Sequence, residues 1–247
     1  MWLFLMLGCE GVTNLCDATG LCYEEKVAPS ADVLYAGTVS QGPVAEDVPL
    51  VEEGSLSFTD PATGDLLAEG TQPYSSDPGF WEAVLPKKAE FQLRIESPDA
   101  YPTVWRGRAP PQRGWWYTGA VFSWPHAVWD PFADELEAQG MGPFPDLTAG
   151  ERVALWGAPV DEDLQVIPLG PGRVSVIDGA GQLAEVLLVG AAEVPEGEPV
   201  PTFFLAFDLA PGDITLLVSG DDDTVVETHY TAQGGDVISA WWFEVPE

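Results

Sequence analysis

Gly54-Ser55-Leu56-Ser57-Phe58-Thr59-Asp60, followed by a turn at Pro61 to Gly64, then Gly79-Phe80-Trp81-Glu82-Ala83-Val84-Leu85-Pro86, a polar corner and Phe91-Gln92-Leu93-Arg94-Ile95, is the stretch whose reading decides the fold. Apolar and polar residues alternate along each run. Successive side chains of a strand point to opposite faces, so this alternation gives one buried and one wetted face. It predicts strands of a sheet that packs on a second layer.

The remainder of the 247 residues is of the same kind. Twenty-six Gly and 23 Pro punctuate the chain too often for a helical protein, while 46% hydrophobic residues and 11% aromatics are too apolar for a disordered one. An all-β protein with many turns follows, with room for one large domain or two of about 100 residues each. Forty acidic residues against nine basic ones give a formal charge of -31. Nucleic-acid backbones and anionic lipid surfaces would repel such a chain, so no nucleic-acid partner is expected. Solubility in an extracytoplasmic compartment accounts for most of the charge.

At the N-terminus the apolar run Trp2-Leu3-Phe4-Leu5-Met6-Leu7-Gly8 ends at Cys9. It resembles the end of a bacterial lipoprotein signal peptide with its lipobox; Gly8 and Cys9 fit that pattern, and Met6 and Leu7 fill its other two places. The run is shorter than a usual apolar core and lacks a basic leader, both of which a start assigned too late would explain. The resemblance implies that residues 1–8 are removed, that Cys9 is diacylated, and that acyl chains hold the protein to a membrane of the bacterial cell envelope. The plainer reading is an apolar terminus carrying an ordinary cysteine.

Cys16 and Cys22 flank Asp17-Ala18-Thr19-Gly20-Leu21. Outside the cytoplasm such a close pair around a glycine turn reads as a disulfide closing a small loop, within a tether over 9–31. A redox or metal pair is the sharper alternative, although redox motifs use two intervening residues and no His lies nearby. A first strand is expected over Val33 to Val39. Further strands follow over Thr103 to Arg106 and Trp115 to Trp124, separated by proline-rich loops. Asp130-Pro131-Phe132-Ala133-Asp134-Glu135-Leu136-Glu137-Ala138-Gln139-Gly140 predicts a short helix, with Asp130 as N-cap and Pro131 in the first turn.

The second half restates the first. Arg152-Val153-Ala154-Leu155-Trp156-Gly157 matches Asp32 to Gly37 at an offset of 120 (152 minus 32), and Gly172 to Asp178 matches Gly54 to Asp60 at 118 (172 minus 54). Leu209 to Leu216 parallels Leu85 to Leu93 at 124 (209 minus 85), and Gly235 to Pro246 parallels Gly114 to Pro125 at 121 (235 minus 114). Four matches in one order at nearly one offset predict a duplicated unit. The expected division is a first β-sandwich over 32–125, a connector with a short helix over 126–150, and a second β-sandwich over 151–247.

Gly54-x-Leu56-Ser57-Phe58-x-Asp60-x-x-Thr63-Gly64-x-Leu66-Leu67-Ala68, with Gly79-Phe80-Trp81 and Leu85-Pro86 before Phe91-x-Leu93, resembles a carboxypeptidase regulatory-like, or transthyretin-like, domain. The resemblance implies tandem Greek-key β-sandwiches of the prealbumin type, a fold used mainly for noncatalytic spacers, adhesion units and binding modules on bacterial surfaces. In the second half the turn is Asp178-Gly179-Ala180-Gly181, and Phe203-Phe204 replaces Gly-Phe-Trp.

Chemistry-bearing residues are sparse. Any nucleophile–histidine relay would have to use His126 or His229, and no nucleophile elbow, phosphate loop or metalloprotease helix appears. The chain is expected to be noncatalytic, without a cofactor or a dedicated metal. Asp161-Glu162-Asp163 and Asp221-Asp222-Asp223 invite a calcium reading, but contiguous acids point in different directions, whereas calcium loops alternate their ligands. Six of the nine bases, Lys87, Lys88, Arg94, Arg106, Arg108 and Arg113, fall in one stretch near Trp105, Trp115, Trp116, Trp124 and Trp129. Trp105, Arg106, Arg108, Trp115 and Trp116 are therefore the candidate ligand-binding residues: exposed rings stack on sugars, and the bases suit an acidic glycan or the acidic second half. The competing reading places the rings in the core. The leading expectation is a membrane-anchored envelope lipoprotein serving as a spacer or protein-binding module; a carbohydrate-binding module is the alternative.

Overall fold

A computed structural model describes residues 15–16, 22–23, 32–41, 54–70, 80–109, 115–138, 140, 142, 144, 146–158, 172–189, 203–219 and 225–240. The first half of the chain holds β1 (Leu15–Cys16), β2 (Cys22–Tyr23), β3 (Asp32–Gln41), β4 (Ser55–Thr59), β5 (Leu66–Gly70), β6 (Phe80–Pro86), β7 (Glu90–Glu96), β8 (Ala100–Tyr101), β9 (Thr103–Arg108) and β10 (Trp115–Pro125). A helix, α1 (His126–Ala138), and a 3-10 turn (Leu147–Ala149) follow. Then come β11 (Val153–Gly157), β12 (Val174–Ile177), β13 (Val186–Val189), β14 (Phe203–Leu209), β15 (Gly212–Ser219), β16 (Val225–Ala232) and β17 (Val237–Ala240). The fold is all-β, as the alternation predicts.

The four segments matched along the sequence occupy matching strands. In the first half β3 lies between antiparallel β6 and parallel β10; in the second, β11 lies between antiparallel β14 and parallel β17. The pairs β4–β7 and β12–β15 are likewise equivalent, both antiparallel. The turns after β4 and β12 are built alike. Asp60 Oδ1 accepts the N–H of Ala62 at 2.7 Å, and Gly64 at φ 75° closes the loop back to the Asp60 carbonyl. After β12, Asp178 Oδ1 accepts from Ala180 and Gln182 at 3.0 and 2.8 Å, and Gly181 at φ 76° closes onto the Asp178 carbonyl. Gly181 thus does what Gly64 does, in a loop one residue shorter; a left-handed backbone at that point suits a residue without Cβ.

Sheet β6-β3-β10-β8 packs on the β9-β7-β4-β5 strands through Tyr35, Val39, Phe58, Trp81, Leu85, Phe91, Leu93 and Trp105. Strands β14-β11-β17 pack on sheet β12-β15-β16 through Val153, Leu155, Val176, Phe204, Ile214, Leu216 and Ile238. The two repeats are not merely strung together. Strands β17 and β9 pair in parallel, Val237 opposite Thr103 and Ile238 opposite Val104, so one eight-stranded sheet runs β13-β14-β11-β17-β9-β7-β4-β5 across both.

The helix departs from expectation. It begins at His126, directly after β10, so Pro131 lies inside it and Asp130 is no cap; the Asp130 carboxylate instead accepts the Tyr101 hydroxyl at 3.0 Å. Tertiary packing explains the earlier start, since the first turns bury Trp129 against Trp124 at 4.7 Å between ring centres and against Phe207 at 5.4 Å. With Trp156, Leu136, Leu147 and Leu205 these rings form a third core on the outer face of β11 and β14. That burial outweighs the single backbone hydrogen bond that a proline costs a helix.

Candidate functional site

The outer face of β7 and β9 is where the most specific polar structure lies. Alternation sends Phe91, Leu93 and Trp105 into the first core and turns Gln92, Arg94 and Arg106 outward, toward the second repeat. The Gln92 side chain behaves as a stand-in strand residue: its Nε2 donates to the Thr231 carbonyl at 2.7 Å, and its Oε1 accepts the Thr231 N–H at 2.9 Å. Arg106 donates to the His229 carbonyl at 2.6 Å and pairs with Glu90 at 2.8 Å. Together these side chains satisfy backbone groups of β16 that an open edge would leave to water.

Arg94 makes the third grip. Its Nη1 donates to Asp236 Oδ2 at 2.6 Å and its Nε to Glu96 at 2.9 Å. Asp236 has no solvent exposure; its Oδ2 also accepts the Gln233 N–H at 2.7 Å, while Oδ1 is buried without a hydrogen-bond partner. Burial pushes the Asp236 carboxyl above the usual carboxylate range, and the hydrogen bonds from Arg94 and Gln233 offset that only in part.

Arg106, Glu90, His229 and Thr231, but not Arg94 or Asp236, border a groove of about 410 Å³ whose lining also includes Asp60, Ala89 and Asp213. On its second-repeat side His229 Nδ1 lies 3.1 Å from Thr215 Oγ1 and Nε2 lies 3.2 Å from Glu227. Hydroxyl, imidazole and carboxylate thus stand in the order of a nucleophile relay. Thr215 and His229 are, however, direct cross-strand partners on β15 and β16, and the His229 and Glu227 side chains are each 56% exposed. Water competes for such an imidazole, and cross-strand pairing accounts for the geometry without a reaction. Among the described residues no group of three or more His, Cys, Asp or Glu is placed to hold a metal.

The structure separates the candidate ligand-binding residues. Trp105 is only 5% exposed and packs on Phe91, so its ring offers no platform to a sugar, which corrects its place in that set. Arg106 is engaged at the junction and Arg108 is exposed at the end of β9. By register Trp116 stands beside Tyr35 of the first core and Trp115 beside Leu34, one residue along and thus on the opposite face. Their side chains lie outside the described residues, as do Cys9 and the acidic runs at 161–163 and 221–223. His126 begins α1, its ring edge-on to Tyr101 at 4.1 Å. Burial and the hydrogen bond to Asp130 both hold the Tyr101 hydroxyl above its ordinary range, so it stays protonated. Sequence reasoning missed Gln92 and Asp236. A neutral amide at an outward position carries no signal, and Asp236 is one acid among forty.

No family model and no curated protein matches the chain. Among solved structures the chain is similar to the Bacillus anthracis TIE protein, at 11% identity and a TM-score of 0.29, covering 85% of this chain and 34% of that one. It is similar to a double mutant of the shaft pilin SpaA from Lactobacillus rhamnosus GG, at 11% identity and a TM-score of 0.29, covering 87% of this chain and 99% of that one. A minor pilin of Streptococcus agalactiae shows 10% identity and a TM-score of 0.23, covering 87% of this chain and 97% of that one. Similarities this low carry no function across.

Proposed function

We propose that the chain is a noncatalytic envelope lipoprotein, held to the membrane through Cys9, whose two β-sandwich repeats (32–125 and 151–247) serve as a spacer or protein-binding module. The observation that supports it best is the junction. A shared sheet and three side-chain grips make one body of two repeats, as a spacer must be if it is to set a fixed distance. Cys16 and Cys22 stand directly opposite each other in the β1–β2 pair. That register favours a disulfide closing the tether hairpin, which mass spectrometry with and without reductant will read as a two-proton difference. Among the described residues no helix is long and apolar enough to cross a membrane.

Cys9→Ala and the lipoprotein signal-peptidase inhibitor globomycin test the anchor. Wild-type protein should fractionate with membranes and carry acyl chains on Cys9, whereas Cys9→Ala should accumulate unprocessed or be released. A mature wild-type protein without acyl chains overturns the proposal. Glycan binding has lost Trp105; what is left of it rests on Trp115 and Trp116, and unchanged glycan-array binding in Trp115→Ala and Trp116→Ala would remove it.

A further inference from the structure

Strand β3, which begins at Asp32, is an interior strand of its sheet. Strand β6 lies antiparallel on one side of β3 with seven register pairs, from Asp32 opposite Pro86 to Thr38 opposite Phe80. Strand β10 lies parallel on the other with seven more, from Leu34 opposite Trp115 to Gln41 opposite Ser123. Val33 and Ala36 have no solvent exposure, and Tyr35 and Val39 sit in the first core.

What a pull on the residues before Asp32 meets depends on where the body is held. Because β10 runs parallel to β3, its last residue, Pro125, lies at the far end of the sheet, and there the His126 N–H donates to the Asp99 carbonyl. Asp32 stands at the opposite end, beside Pro86 and the Lys87–Lys88 turn. A force between Asp32 and the far end acts along β3. It loads the hydrogen bonds of both ladders in shear, so they share the force and must give together. A force between Asp32 and the Lys87–Lys88 turn acts across the β3–β6 ladder and opens it pair by pair.

We propose that β3 is a force-bearing strand, through which the body withstands axial tension arriving from the tether. Two ladders must rupture at once, and the core side chains of β3 must enter water, before the strand leaves. The source of that tension rests on the anchored-spacer reading above; the mechanical property does not.

Single-molecule force spectroscopy on the full chain tests it. Biorthogonal handles are placed at Asp32 and Asp99 for the axial pull, and at Asp32 and Lys88 for the transverse one; Asp99 and Lys88 are exposed, so the core is untouched. Forced rupture reads the unfolding rate under load rather than equilibrium stability, so the two directions are compared at one loading rate. The axial rupture force is expected to be several-fold the transverse one. Equal forces, or a weaker axial one, overturn the proposal. Failure of lipidation at Cys9 leaves the force ratio unchanged, and a lipidated protein with no directional difference keeps its anchor but loses this role, so the two readings fail separately.

Discussion

Two carboxylates, Asp236 and Asp178, show how far local partners decide a residue's contribution. Asp236 is buried with one oxygen unpaired, and its carboxyl is raised. A raised acid binds its proton more tightly folded than unfolded, so its contribution to stability is present below the unfolded value and lost as pH rises through the folded one. Asp178 is also raised by burial, but the N–H groups of Gln182, Ala210 and Ala180, with the charge of Arg152, outweigh this and leave it lowered. Its contribution is present above the unfolded value and lost as pH falls through the folded one. Urea midpoints of wild type and Asp236→Asn, measured from about pH 4 to about pH 8, should therefore diverge in favour of the amide as pH rises. Asp178→Asn should lose most at the alkaline end. Removing the cation is a separate case. Arg94→Met strands the buried Asp236 charge and should cost about 3 kcal/mol at neutral pH, most of it recovered in Arg94→Met/Asp236→Asn. If the double variant is as unstable as the single one, the pair is not what matters at that point. The basic cluster was legible as a patch able to dock the acidic second half, and Arg94 and Arg106 do dock there. Their targets were not legible, because two are backbone carbonyl or carboxylate groups far away in sequence.

Elements were read best where two signals agreed. The alternation in Ser55–Thr59, Phe80–Pro86 and Glu90–Glu96, bounded by turn residues, gave strands that the structure places within one or two residues. The helix was read from its cap signals, Asp130, Pro131 and Gly140, and began too late, because Trp129 before them is helical through burial against Phe207 and Trp156 of the second half. The Asp turns were legible as equivalents, because Gly172 to Asp178 matches Gly54 to Asp60 at an offset of 118; that Gly181 takes the place of Gly64 one residue earlier was not. That equivalence makes a prediction. Asp178→Ala leaves three backbone N–H groups without their acceptor and should cost about 2 kcal/mol, whereas Asp60→Ala, on an exposed loop, should cost about 1 kcal/mol. Equal losses by chemical denaturation would mean that burial makes no difference between the two turns. Gly157 is a sharper constraint. A Cβ there would collide with the Ala240 carbonyl oxygen across the β11–β17 ladder and stand 2.8 Å from the Phe204 ring, so Gly157→Ala should cost about 2 kcal/mol.

At the scale of the whole molecule, the matching strand pairings of the two halves were foreshadowed in the sequence because each half keeps its own strand signals, while their joining in one sheet was not. Pairing of β17 with β9 joins residues 134 apart (237 minus 103) and leaves no mark on the alternation of either strand. That fusion governs how the protein should unfold. Two sandwiches on a slack linker melt independently, each with its own midpoint. Here Val104 of β9 packs within the second core, β17 is buried throughout, and Gln92, Arg94 and Arg106 each make hydrogen bonds that need the second repeat in place. Unfolding either repeat therefore exposes core surface and orphans polar groups of the other. Calorimetry should show one transition whose calorimetric and van't Hoff enthalpies coincide, and amides of β7 and β15 should exchange with the same free energy. The combined variant Gln92→Ala/Arg94→Met/Arg106→Ala removes the grips while leaving both cores whole. It should split the transition in two, with the strands of each repeat exchanging at separate free energies. Two transitions in the wild-type chain would show instead that the junction is weaker than either core, and a body hinged there could not hold a fixed span.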